Sequence, residues 1–266
     1  MTDLREPLRR YIETRISLGE PPLIFRGLSR RDALDAAASR PPAAVSTKEA
    51  ETVRLAKEGT AEGIRELDFD ALGEVARACT RCSLHESRQH VVFGEGDPEA
   101  RVVCVGEAPG AVEDDTGRPF VGRAGQLLDL LLMSVGLRRD EVYICNVLKC
   151  RPPGNRDPST EEIATCSPFL LRQIELIDPE VVVAFGSFAA QTLLATRDSI
   201  GRLRGRTHLY GRYPLVVTYH PAASLRNPGW KRPTWEDLQL VRRVLDGDSP
   251  TVSGPAADEP SLNLVP

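Results

Sequence analysis

No stretch of the 266-residue chain holds the roughly 18 consecutive apolar residues of a membrane-spanning helix. The Leu-rich run over 127–135 comes nearest and is broken by Asp129, so a membrane span is excluded. Basic residues are not in excess either. The 34 Lys and Arg stand against 38 Asp and Glu, a net charge of −4, which excludes a uniformly basic nucleic-acid coat. Positive charge for such a partner would have to be local. Residues 1–10 alternate acids and bases without the apolar segment of a secretory signal, so a cytoplasmic enzyme is the expectation. The six cysteines are then expected to stay reduced, which favours ligation over disulfides. The phosphate-binding pattern GxxxxGK followed by Ser or Thr is missing, and no internal repeat is visible.

What is present is an ordinary globular composition, 41% hydrophobic and 27% charged, long enough for one or two domains. Three zones differ. Residues 1–78 are rich in Ala, Arg and Glu and punctuated by Pro pairs at 21–22 and 41–42; they read as a weakly helical arm and linker, with helical stretches over 4–16, 32–38 and 50–57. Residues 247–266 are Pro-rich and poor in bulky side chains, the composition of a disordered tail. Residues 79–246 carry the fold. Near-continuous apolar runs over 101–105, 142–148, 181–185 and 215–219 read as strands covered on both faces. Helical patterns separate them, over 125–135, 187–194 and 234–245, the last opened by Thr234 as N-cap with Asp237 three residues on. Ser159 and Glu162 form the sequence of a capping box for a further helix, inside which Pro168 predicts a kink or a restart capped by Ser167. Such alternation predicts an α/β fold with a mostly parallel sheet, whose functional loops leave the carboxyl ends of the strands.

The unusual residues lie at those ends. After the first strand a Gly-rich loop runs from Gly106 to Gly125, carrying the acids Glu107, Glu113, Asp114 and Asp115 and an aromatic, Phe120, ahead of a helix. Phe120 is either core or part of a site. Asn146 interrupts the second strand and needs polar partners, whether from the core or from the edge of a planar ligand. Of the four histidines only His220 ends a strand, followed by Pro221; structural and catalytic readings both stay open. Cys79 and Cys82 form a C-x2-C pair, and Cys150 with Cys166 adds two more thiols; four such ligands suit a tetrahedral zinc or an iron–sulfur cluster. Cys104 and Cys145 fall inside strands and read as small buried hydrophobes. From 201 to 232 there is no acid at all, yet seven bases occur: Arg202, Arg204, Arg206, Arg212, Arg226, Lys231 and Arg232. That stretch reads as a surface facing a polyanion.

Together these residues resemble the iron–sulfur uracil-DNA glycosylases of family 4. The resemblance rests on GEAPG at 106–110 with Glu113 and Asp114, GRPFVGRAG at 117–125, YICNVLKCRPPGNRDP at 143–158, YHPAASLRNP at 219–228 and the two cysteine pairs, and it spans roughly 79–246. It implies a three-layer α/β/α domain around a central four-stranded, mostly parallel sheet, and hydrolytic release of uracil from DNA. It implies that Phe120 stacks on the flipped base, that Asn146 reads the uracil edge and that His220 donates to uracil O2. Glu107 and Ala108 would line the pocket, Glu113 would stand near C5, and Asn155 would help to place water. Cys79, Cys82, Cys150 and Cys166 would hold a 4Fe–4S cluster of structural purpose. The expected partner is uracil-containing DNA, single- or double-stranded, bound by a monomer without a membrane.

Two positions depart from the pattern. Ala108 stands where the best-known glycosylases carry a water-activating Asp, which leaves Glu113 and Asn155 as candidates for that role. Ser224 stands where a Leu wedge is usual, so Leu225 is the expected intercalating residue, with Ser224 and Arg226 as neighbouring DNA contacts. A competing reading is a non-catalytic or covalently trapping uracil-DNA binding protein on the same fold. Trapping relatives insert a basic, His-containing loop before the region of Asn155 to Pro158, and none is present here. A zinc-bearing nucleic-acid module without catalysis is the other; it would be colourless and release no base.

Overall fold

Val and Ile crowd χ1 in a helix but pack well on a pleated surface, and the four apolar runs form the centre of one sheet. The structure, a computed structural model, describes residues 61–248. The helices expected over 4–16, 32–38 and 50–57, and nearly all of the tail, lie outside the described residues. In chain order the helices are α1 (Ala61–Arg65), α2 (Phe69–Arg77), α3 (Ala111–Thr116), α4 (Arg123–Met133), α5 (Thr160–Ile177), α6 (Ser187–Leu194), α7 (Ile200–Leu203), α8 (Pro221–Arg226) and α9 (Lys231–Leu245). The strands are β1 (Glu95–Gly96), β2 (Val102–Gly106), β3 (Tyr143–Asn146), β4 (Val181–Phe185), β5 (Thr207–Tyr210) and β6 (Tyr213–Thr218).

The sheet has six strands in the order β1-β3-β2-β4-β6-β5, two more than the four expected. The four expected strands are its parallel centre, and β1 and β5 add antiparallel edges. β1 is two residues long and β5 reads THLY, both too short to show an alternation in sequence. Side chains alternate across the centre as a strand's period of two demands. Val103, Val105, Cys145 and Ala184 face a core closed by Leu170 and Ile174 of α5 and Ala190 and Leu193 of α6. Val102, Cys104, Ile144 and Val183 face the other, closed by Leu128 and Leu132 of α4 and Leu238 and Val241 of α9. The result is the expected three layers.

Three helix expectations change. The Ser159–Glu162 capping box forms, with Glu162 N–H donating to Ser159 Oγ at 3.2 Å and Ser159 N–H to Glu162 Oε2 at 2.9 Å. Past it, α5 runs through Pro168 as one helix. Ser167 is no restart cap, because its hydroxyl donates to Ile163 O of the preceding turn at 2.5 Å. Likewise α9 starts a turn before Thr234, whose hydroxyl donates to Trp230 O inside the helix. Finally, the boundary drawn at residue 78 falls beyond packed structure. Ile64, Leu67, Leu72 and Val75 are buried against Phe169 of α5 and Phe93, so α1 and α2 cover that helix.

Strand β2 is followed in chain order by β3 on one side and then by β4 on the other, which makes its carboxyl end the point where the winding reverses. Gly106 pairs with Asn146 there, and Phe185 with Thr218 one strand further on. Ligands of open α/β sheets bind at such a point.

Candidate active site

A cavity of about 550 Å³ opens at these strand ends, and its walls include Glu107, Ala108, Glu113, Phe120, Asn146, Asn155, His220 and Arg226. The residues singled out in sequence for base recognition and chemistry thus share one space, though they come from four separate segments.

Phe120 is buried, with its backbone at φ +50, a left-handed conformation rare for an aromatic. Two glycines make room for it. A Cβ on Gly125 would lie 1.7 Å from Phe120 O, and one on Gly106 would lie 2.5 Å from the ring and 2.4 Å from Asn146 Oδ1. Ring and amide therefore lie against the bare end of β2. The Phe120 ring is tilted 30° to His220 with centroids 5.4 Å apart.

Asn146 is 1% exposed, and its Oδ1 has no hydrogen-bond partner. Leaving a buried acceptor unmade costs about 1–3 kcal/mol. A donor arriving in the cavity would relieve that cost. The neighbouring backbone is fixed from below, where the buried Lys149 Nζ donates to Asn146 O at 2.8 Å and to Gln173 Oε1 at 2.5 Å.

His220 caps α8: its Nδ1 accepts from Ala222 N–H at 3.1 Å. An accepting nitrogen carries no proton, so the neutral ring carries it on Nε2. Burial, helped by the positive charge of Arg226 and opposed by Glu113, holds the imidazole pKa down to about 4. The ring is a neutral donor at pH 7. Glu107 is shifted the opposite way. Burial first, and then repulsion from Asp157, push its carboxyl up to about 7, against the pull of Arg226.

Glu113 lines the cavity, but its Oε1 accepts the N–H groups of Val121 and Gly122 at 3.0 and 2.9 Å, which ties the Phe120 turn to the start of α4. Asn155, also at φ +54, accepts from Arg151 Nε through its Oδ1 at 2.7 Å. Ser224 is a correction. It is fully buried on α8, with its hydroxyl 3.4 Å from Thr234 Oγ1, and it cannot touch DNA. Leu225 beside it is half-buried, and Arg226 is exposed at the rim.

Sequence reasoning missed a good part of the wall, including the polar and aromatic residues Asp157, Tyr219 and Trp230. Asp157 and Tyr219 sit inside the quoted motifs, where adjacency to Asn155 and His220 was the available signal. Trp230 had none, since it reaches the wall by stacking on Tyr219, with centroids 4.4 Å apart and planes 9° apart. The acid-free stretch is also less uniform than it read. Arg204 is bound through two nitrogens to the buried Asp237, and Arg212 pairs with Asp178 beside the amino end of β6, away from the cavity. Arg226, exposed on the cavity wall, has no carboxylate within ion-pair distance among the described residues, and neither has the exposed Lys231, which follows the wall residue Trp230 in the chain.

The four cysteines predicted as ligands lie close enough for Cys79 to act electrostatically on Cys82, Cys150 and Cys166. Burial raises all three of those thiols, Cys166 to about 12. Two N–H groups already point at sulfur: Lys149 N–H to Cys166 Sγ at 3.3 Å and Arg88 Nη1 to Cys150 Sγ at 3.2 Å. Among the described residues no group of three His, Cys, Asp or Glu side chains is placed to hold a metal ion. Four free thiols, two of them already accepting N–H donors, are by their chemistry a donor set suited to an iron–sulfur group. No helix among the described residues is long and apolar enough to cross a membrane.

Comparison with known proteins agrees with this geometry. A family model described as the uracil DNA glycosylase superfamily matches residues 93–239. The chain is 50% identical over 185 residues to a type-4 uracil-DNA glycosylase of Thermotoga maritima, an alignment covering 68% of this chain and 96% of that protein. It is 41% identical over 195 residues to a type-4 uracil-DNA glycosylase of Archaeoglobus fulgidus, covering 69% and 98% respectively. A type-5 uracil-DNA glycosylase of Pyrobaculum aerophilum is 34% identical over 178 residues, covering 58% of this chain and 74% of that protein. With most of each type-4 relative aligned and the strand-end cavity in place, the chain belongs to the uracil-DNA glycosylase superfamily, within its type-4 group.

Proposed function

We propose that this DNA repair glycosylase binds a uracil swung out of DNA in the strand-end cavity and hydrolyses its N-glycosidic bond. The observation that carries this reading is the unpaired, buried Oδ1 of Asn146 in the same space as Phe120 and His220. Uracil N3–H is a donor for that oxygen, and uracil O4 is an acceptor for the amide nitrogen. Cytosine presents an acceptor at N3 and a donor at N4, so it would leave both groups of Asn146 facing like groups. A site built for a hydrogen bond rejects the partner that lacks it by large factors.

In this reading the Phe120 ring supports the face of the base. The N1–C1′ bond breaks with its electron pair staying on uracil, and the Nε2–H of His220 donates to O2 as that anion forms. Water bonds to C1′, and its proton ends on the released base. A neutral imidazole suits this role, because it stabilises an anion without delivering a proton early. We assign Glu107 with Asp157 to the water, since Oε1 of Glu113 is occupied by two backbone amides and Oδ1 of Asn155 by Arg151. Extruding the base costs a few kcal/mol, which phosphate contacts from Arg226 and Lys231 help to offset.

Cys79, Cys82, Cys150 and Cys166 would hold a 4Fe–4S cluster, whose chemistry there is that of a structural cross-link. It would join the segment after α2 to α5 and to loop 150–158, which forms one wall of the cavity. The proposed form is a monomer, and the exposed Arg226 at the opening would serve single- and double-stranded DNA alike. Six free thiols suit the reducing cytoplasm.

The test is incubation with a uracil-bearing oligonucleotide followed by alkali. Cleavage at the uracil is expected, and intact strand at high enzyme concentration defeats the proposal. Asn146→Ala should lower kcat/KM by about 10²–10³, the usual cost of losing one preorganised polar contact at a reacting group.

A further inference from the structure

Phe120 holds an aromatic side chain on a left-handed backbone, a strained conformation that persists only when its surroundings impose it. The imposition comes from two sides. Glu113 takes the N–H groups of Val121 and Gly122. On the carbonyl side, Arg139 donates from Nη2 to Pro119 O at 2.5 Å and from Nη1 to Phe120 O at 3.0 Å. The guanidinium is itself anchored by Asp129 Oδ1 at 3.0 Å and by Glu95 Oε1 at 3.5 Å. Its side chain is 22% exposed, and it does not line the cavity.

We propose that Arg139 is a positioning residue for uracil: it spans two consecutive carbonyls and so fixes the plane of the Phe120 ring on which the base lies. A planar fork matches two adjacent acceptors as a lysine ammonium cannot. The position of Arg139 in sequence adds to the argument, because it opens the turn leading into β3, the strand that ends in Asn146. One side chain therefore ties the stacking ring to the strand that reads the base edge. The inference rests on the stacking role assigned to Phe120.

The experiment is a double-mutant cycle of Arg139→Met and Phe120→Gly, reading kcat/KM on a uracil oligonucleotide and inhibition by free uracil. Glycine removes the ring and the backbone strain together. Arg139→Met alone should weaken free-uracil inhibition about tenfold, within the range of a base-stacking contact. In the Phe120→Gly background it should change neither quantity by more than about twofold, as expected when one residue acts through the other. Arg139→Lys, which keeps the charge between Asp129 and Glu95, should fall between wild type and Arg139→Met. Wild-type inhibition constants with reduced kcat would mean a merely structural arginine and overturn the inference. So would equal losses with and without Phe120, and so would Arg139→Lys matching wild type. A Phe120→Gly enzyme with normal kcat/KM would instead remove the stacking reading, and the Arg139 inference with it.

Discussion

At the scale of single residues, the cavity holds two ionisable groups displaced in opposite directions. Glu107 is raised from 4.5 to about 7, so it holds its proton longer in the folded protein than in the unfolded chain. Its contribution to stability is present below 4.5 and lost as pH rises through about 7. His220 is lowered from 6.5 to about 4, so its contribution is whole above 6.5 and lost as pH falls toward 4. Across the shared window the two slopes oppose each other. The pH signature should then appear in catalysis. If ionised Glu107 activates the water, kcat/KM falls about tenfold per pH unit below about 7 and levels off above it. Glu107→Gln should abolish that limb along with most of the activity. A wild-type profile flat from pH 5 to 8 would remove Glu107 from the role.

At the scale of elements, the end of β2 is shaped by what it omits. A Gly106→Ala methyl would meet Asn146 Oδ1 at 2.4 Å and the Phe120 ring at 2.5 Å, so both side chains must move. Crystal structures and kinetics of that variant should show a displaced ring and a fall in kcat/KM of about 10²-fold, because misplacement of about 1 Å costs this much. Unchanged kinetics would show that the contact is dispensable. The parallel strands, the α5 capping box and α6 were legible because hydrophobic runs and cap chemistry are local. The helix α6 was read with its observed bounds, 187–194. Thr234 was misread since a threonine opening a periodic stretch looks the same whether it caps the backbone or bonds back within the helix. Ser224 was misread for a tertiary reason: a loop matched by motif is here a helical turn packed on α9. Glu113 and Arg139 were illegible as a pair, because their targets are backbone groups, which leave no trace in side-chain patterns.

At the scale of the whole molecule, the cavity wall contributed by loop 150–158 hangs between two fixed points. One is Cys150, and the other is Arg156, which Glu162 of α5 holds through both carboxylate oxygens at 2.5 and 2.9 Å. If the proposed 4Fe–4S cluster anchors Cys150, Cys150→Ala should lose absorbance near 400 nm, lower the melting temperature and impair uracil release together. A colourless variant with normal activity would separate the sulfur site from the wall. The helix α5 connects more than this loop. Along one face Glu162 holds Arg156, Cys166 receives the amide of Lys149, Phe169 is covered by α1 and α2, and Gln173 joins Lys149 to Phe93 O and Tyr143. Each α-helical residue turns the chain by about 100°. A single codon inserted between the first and last of these stations would swing everything downstream out of register at once. Natural variation should thus tolerate substitutions along this rod while refusing any change in its length.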